Sequence, residues 1–135
     1  MRPVVSVFGE GKEEKTAGVE ALVVELTKRG YTVGTLKHHV HDDFDIDIPG
    51  KASYRHRMAG AREVAVSSPT MYAYIRHHDK ELDLEEAESR FSPAVDIIIA
   101  EGYGAAAEFG FKAPVTDAAK AADDIEERFF PGRAR

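Results

Sequence analysis

An α/β domain, a mostly parallel sheet flanked by helices, is what this sequence predicts, and three observations predict it. Two short, predominantly apolar runs, Val4-Val5-Ser6-Val7-Phe8 and Val95 to Ala100, have the composition of strands buried on both faces. The first run leads into a helical pattern over Lys15 to Arg29 and then a strand-like segment, Tyr31 to Leu36. Strand, helix and strand with short joints form a right-handed βαβ unit on a parallel sheet. Between the first run and the helix, Gly9-Glu10-Gly11-Lys12-Glu13-Glu14-Lys15-Thr16 matches G-x-x-x-x-G-K-[ST] at every defined position but one. Glu14 stands where the second glycine belongs. That pattern is the phosphate-cradling P-loop, so the fold class is P-loop NTPase-like.

Size and composition set the outer bounds. A chain of 135 residues suffices for one α/β domain with a real core and is short for two, so residues 1–135 are taken as a single domain. The hydrophobic fraction of 43% and charged fraction of 31% are those of a globular protein. A net charge of −6 implies no broad basic surface, which argues against nucleic acid as a partner. Without cysteine there is neither a disulfide framework nor a thiolate metal site. No apolar stretch approaches the roughly 20 residues of a membrane span, and Met1-Arg2-Pro3 runs straight into the first strand. A cytoplasmic protein without a signal peptide or membrane contact is expected.

The remaining elements follow from local chemistry. In the first helix Val19, Leu22, Val23 and Leu26 recur at helical spacing, and Gly30 supplies the stop. Lys37 to Lys51 has neither helical nor strand period, is dense in His and Asp, and closes at Pro49-Gly50. A short helix is predicted from Ser53, as N-cap, to about Ala59, with Gly60 ending it. Glu63 to Ser67 and Met71 to Arg76 form a hairpin across the turn signal Ser68-Pro69. Asp83 and Glu86 occupy capping-box positions for a helix that turns Leu84, Ala87 and Phe91 to one side. After Val95 to Ala100 come Glu101-Gly102 and a small, glycine-rich stretch from Tyr103 to Gly110. Asp117 to Phe130 is helical by pattern and ends before Pro131-Gly132.

The chemistry concentrates in two places. In a P-loop, consecutive backbone N–H groups and the positive end of the following helix hold phosphate oxygens. On this pattern Gly9 opens the turn, Gly11 and Lys12 line it, Lys15 neutralises phosphate, and the Thr16 hydroxyl serves Mg²⁺. Glu14 brings a β-carbon and a carboxylate to the same spot. Two unit charges about 4 Å apart near a protein surface repel by roughly 4 kcal/mol, a thousandfold in affinity. Glu101, delivered at the exit of an apolar strand, holds the Walker-B-like position suited to Mg²⁺ or to orienting water, and is the candidate catalytic residue.

Ligands of open α/β sheets bind outside the carboxyl ends of the strands, where Lys37 and His38 leave the second one. The loop from Lys37 to Lys51 is therefore expected to overhang the phosphate site. His38, His39 and His41 lack the spacing of a transition-metal site, so a solvated acidic loop is the favoured reading of this segment. Arg55, His56 and Arg57 read as exposed helix charges that can also meet phosphates.

The order of these blocks resembles a known family. The P-loop, Lys37-His38-His39, the acidic run into Pro49-Gly50-Lys51-Ala52-Ser53-Tyr54, Arg55 through Ala61, and Glu101-Gly102-Tyr103 together look like molybdopterin-guanine dinucleotide biosynthesis protein B, from about Val4 to Tyr103. The resemblance implies a GTP-binding, weakly hydrolytic and dimeric P-loop protein. It would act as adaptor for the guanylyltransferase that attaches GMP to molybdopterin, with molybdopterin itself a further contact. It implies GTP and Mg²⁺ as cofactors. The chain departs from the family pattern at Glu14, Ala17 and Ala52, where Gly, Thr and Asp are usual. Gly104 to Phe111 replaces most of a later strand pair, leaving Val115-Thr116-Asp117 as a remnant strand end in a shortened C-terminal region. These departures motivate the alternative, an interaction domain of the same fold that has lost the nucleotide. A small P-loop kinase is disfavoured because no arginine-rich lid segment is evident.

Overall fold

The computed structural model describes residues 1–133, the side chain of residue 105 excepted. Its elements are β1 (Val4–Phe8), α1 (Lys12–Lys28), β2 (Val33–Lys37), α2 (Ala52–Met58), β3 (Glu63–Ser67), β4 (Tyr72–Arg76), α3 (Leu84–Ser89), β5 (Ile97–Glu101), β6 (Phe109–Lys112) and α4 (Ala118–Phe129), with a turn of 3-10 helix at Gly104–Ala106. They pack as two compact units, residues 1–38 with the chain from Leu82 onward, and residues 39–81.

The first unit is built on a four-stranded, wholly parallel sheet in the order β2-β5-β1-β6. The predicted βαβ unit is present, but β1 and β2 are not neighbours: β5 lies between them. The physical reason is burial. Every residue of β5 is buried, and such a strand belongs in the interior of a parallel sheet, covered on both faces. Alternation then sorts the side chains. Val5, Val7, Ile97 and Ile99 face Leu22 and Leu26 of α1 and Ala121, Ala122 and Ile125 of α4. Val4, Ile98 and Ala100 face the other way, toward Leu84, Ala107, Phe91 and Val95. Fully burying one such isoleucine stabilises the fold by about 1.5–3 kcal/mol before entropy is counted.

Arg2 fastens α3 beneath the sheet. Its guanidinium donates to Glu88 at 2.6 Å and to the carbonyls of Phe91, Ser92 and Val95. On the opposite face of the sheet, Arg29 and Tyr31 converge on Glu126 of α4, itself 3% exposed.

Several boundaries differ from the sequence reading. α1 begins at Lys12 rather than Lys15, because Gly11 acts as its N-cap and the Lys15 amide already donates to the Gly11 carbonyl at 3.0 Å. β2 starts at Val33; Tyr31 is spent in the joint, buried against Phe130. β5 runs Ile97–Glu101, so Glu101 is the last strand residue rather than the first beyond it. The glycine-rich stretch contains a strand: β6 adds to the open edge of β1 with Gly110 against Ser6, where an added β-carbon would meet the Ser6 carbonyl. Val115-Thr116-Asp117 is not a strand end; the Asp117 side chain accepts from the Lys120 amide and caps α4.

In the second unit α2 accompanies the predicted hairpin, β3 pairing antiparallel with β4 from Glu63↔Arg76 to Ser67↔Tyr72. Ser68 closes the turn through hydrogen bonds with Met71. α2 is capped by Lys51 rather than Ser53, whose hydroxyl donates to Asp47 at 2.9 Å instead. Among the described residues no helix is long and apolar enough to cross a membrane.

Candidate functional site

The carboxyl ends of β1, β5 and β2 lie side by side, and their register aligns Val7 with Glu101 and Lys37 with Glu101. Glu101 is 7% exposed, and both its oxygens are engaged. Thr16, from the second turn of α1, donates its hydroxyl to Oε1 at 2.8 Å, and Lys37 donates Nζ to Oε2 at 2.5 Å. Burial pushes the carboxyl up. The hydrogen bonds from Lys37 and Thr16, with the charges of Lys37 and Lys15, outweigh it and hold Glu101 below the ordinary carboxylate value. An ionised carboxylate beside a hydroxyl is a hard-oxygen pair of the kind Mg²⁺ prefers, and a cation, the Lys37 ammonium, is already accommodated against it. The donor set fits Mg²⁺.

The backbone beyond β5 is held in uncommon conformations. Gly102 has φ +94° and Tyr103, not a glycine, has φ +69°. Two bonds fix this exit: the Gly102 amide donates to the Val7 carbonyl at 3.0 Å, and the Ser6 hydroxyl donates to the Gly102 carbonyl at 2.6 Å. The His38 amide donates to the Glu101 carbonyl at 3.0 Å, and its ring stacks on Tyr103 with centroids 4.7 Å apart.

The motif at the head of α1 is partly what its pattern predicts. Gly9 takes φ +135°, a conformation that side chains resist, and so opens the turn as expected. Gly11 is the N-cap and Lys12 the first, exposed helical residue. Glu14 is then the third residue of α1, the place from which a glutamate reaches back to the cap. Its carboxylate lies over Gly11, in the space a β-carbon there would occupy. Residues expected to form a phosphate-wrapping loop are therefore the first turn of a helix.

Of the predicted site residues, Thr16, Glu101 and Lys37 form one contact set, His38 joins them through the backbone, and the charge of Lys15 reaches Glu101. Gly9, Gly11 and Lys12 form the turn into α1. Ser6 was not foreseen as part of the site; its signal was a lone hydroxyl in an otherwise apolar strand. In the second unit His39 pairs with Asp43, Asp45 with Arg57, and Asp47 with Ser53. Among the described residues no group of three or more His, Asp or Glu is placed to hold a metal.

Comparison with known proteins shows the family and the fold. The model of the family described as molybdopterin guanine dinucleotide synthesis protein B matches residues 4–111. A relative from Escherichia coli (strain K12), named molybdopterin-guanine dinucleotide biosynthesis adapter protein, is 35% identical over 106 residues, which are 76% of this chain and 60% of the relative. A protein of the same name from Haemophilus influenzae is 28% identical over 102 residues, 75% of this chain and 57% of its own. The chain thus spans well under two thirds of the length of these curated relatives. Crystallised MobB from Bacillus subtilis has the same fold, with a TM-score of 0.65 at 24% identity over 89% of this chain and 72% of that one. A second Bacillus subtilis MobB structure gives a TM-score of 0.55 over 75% of this chain and 57% of that one. With most of its length covered by the family's model, and with the Gly9–Gly11 turn, the Lys37-His38 strand end and the Glu101-Gly102-Tyr103 exit inside that match, this chain belongs to the molybdopterin guanine dinucleotide synthesis protein B family.

Proposed function

We propose that this chain is an adaptor in the synthesis of molybdopterin guanine dinucleotide, serving the guanylyltransferase that attaches GMP to molybdopterin. It would hold GTP with Mg²⁺ and hydrolyse it slowly at most. The observation that carries this reading is the Thr16–Glu101 contact at the carboxyl end of the sheet, directly behind a strand–glycine–helix junction. Gly9, Gly11 and Lys12 would line the phosphate side, Lys15 would neutralise it, and Thr16 and Glu101 would hold the metal, with Lys37 and His38 at its rim. When bound, Mg²⁺ would supply positive charge to the phosphate oxygens. Glu101 would orient water, while Ser6 and the Gly102 backbone keep that carboxylate in place. Titration of a fluorescent GTP analogue in Mg²⁺ tests the reading. We expect saturable binding by the unmodified chain and at least a tenfold loss in Lys15→Ala.

A second reading, an adaptor of the same fold that works without nucleotide, is favoured by the early start of α1, which commits the Lys15 amide to the Gly11 carbonyl. Equal, weak binding by both proteins would establish it in place of the first. A homodimer is supported by the hairpin of the second unit, where Val66, Met71, Tyr72 and Tyr74 are exposed. Among the described residues β3 and β4 pair only with one another, which leaves strand edges for a second copy.

A further inference from the structure

We propose that the site is closed by two of its own side chains, the Glu14 carboxylate standing in for a phosphate and the Lys37 ammonium standing in for the metal, so that a nucleotide enters by exchange with both. The inference rests on the nucleotide-binding reading above and deepens it.

The first surrogate follows from helix chemistry. The opening turn of α1 leaves backbone N–H groups without helical partners, and the aligned peptides make that end attractive to anions. Gly11, lacking a side chain, leaves a gap over its Cα, and the Glu14 carboxylate fills it. A phosphate arriving at that turn meets a resident negative charge over Gly11. The second surrogate follows from the ion pair. Glu101 has two oxygens; Thr16 takes one and Lys37 the other at 2.5 Å, so a metal ion must displace the ammonium to reach that oxygen. Neither surrogate is locked in. Glu14 is exposed and the Lys37 side chain is 52% exposed, so each can swing outward without disturbing the core. The two are opposite in charge and leave for opposite partners. Phosphate and metal therefore relieve each other's competitor when they arrive together.

Glu14→Gln removes the charge and keeps the length, with Glu14→Gly as the second variant; thermal unfolding confirms that both are folded. The probes are a fluorescent GTP analogue with Mg²⁺ and inorganic pyrophosphate with Mg²⁺. Both variants are expected to bind each probe at least tenfold more tightly than the unmodified chain. Lys37→Met is expected to bind Mn²⁺ alone, followed by electron paramagnetic resonance, at least tenfold more tightly, and adding Glu101→Gln to remove that gain. If the unmodified chain already binds as tightly as both Glu14 variants while Lys15→Ala loses binding, the site is real and the surrogates are not. If none of these proteins binds either probe, the surrogates and the nucleotide reading fall together.

Discussion

Tyr31 buries its ring against Phe130 and donates its hydroxyl to Glu126 at 2.8 Å, with the Arg133 guanidinium 3.9 Å from the ring centroid. Burial, then the hydrogen bond to Glu126 and the negative charge of that group, push its phenol up to about 12, against the opposing pull of Arg133 and Arg29. In an ultraviolet titration Tyr31 is expected to ionise near that value. Glu126→Gln should bring it back toward 10.0, its ordinary value. The sign for stability follows. The folded state holds this proton more tightly than the unfolded chain, so the contribution is whole below pH 10.0 and disappears as pH rises toward about 12. Residue by residue, the meeting of Thr16 with Glu101 was legible, because a hydroxyl at a fixed place in the motif and an acid at a strand exit follow from residue type and spacing. The direction of the Glu14 side chain was not legible, since it depends on α1 starting three residues before Lys15 and on the gap over Gly11.

Among the elements, α4 shows best what packing contributes. Ile125 is fully buried in the cluster shared by α1, α4 and the sheet. Ile125→Ala is expected to lower stability by about 2–5 kcal/mol in urea denaturation. Val24 of α1, 68% exposed, is the control, and its change to alanine should stay within about 0.5 kcal/mol. α4 was legible from its helical pattern, whereas Asp117, read as a strand end, proves to be its cap. β6 was not. Its four residues are short for a strand, and Gly110 in their midst reads as loop until the close approach to Ser6 is seen. What could have revealed it is the alternation Phe109-Gly110-Phe111, with both rings packed against the main cluster.

For the molecule as a whole, the parallel α/β class was legible because β1 and β5 carry the apolar signature of strands covered on both sides. The strand order was not, because nothing local to β2 says that β5 will come between it and β1. The compactness of residues 39–81 as a unit was not legible either, although its first boundary falls in the His- and Asp-dense stretch that begins at Lys37. That unit exposes Tyr72 at 67% on a two-stranded sheet and Met71 at 70% in its turn, and such a sheet alone is a marginal structure in water. Tyr72→Asp with Met71→Asp is expected to shift the protein from dimer to monomer in light scattering, with the circular dichroism of the parallel sheet retained. A monomeric mass in the unmodified chain would remove the proposed pairing surface.

The register of β5 has a consequence for how this family can vary. Side chains on a strand alternate faces, and the parity that sends Ile97 and Ile99 beneath α1 also sends Glu101 to Thr16. Inserting or deleting one residue within β5 would hand the acid's seat to Ala100 or Gly102 and turn the isoleucines inside out in the same stroke. The carboxylate's address is thus written into the oily grammar of the strand.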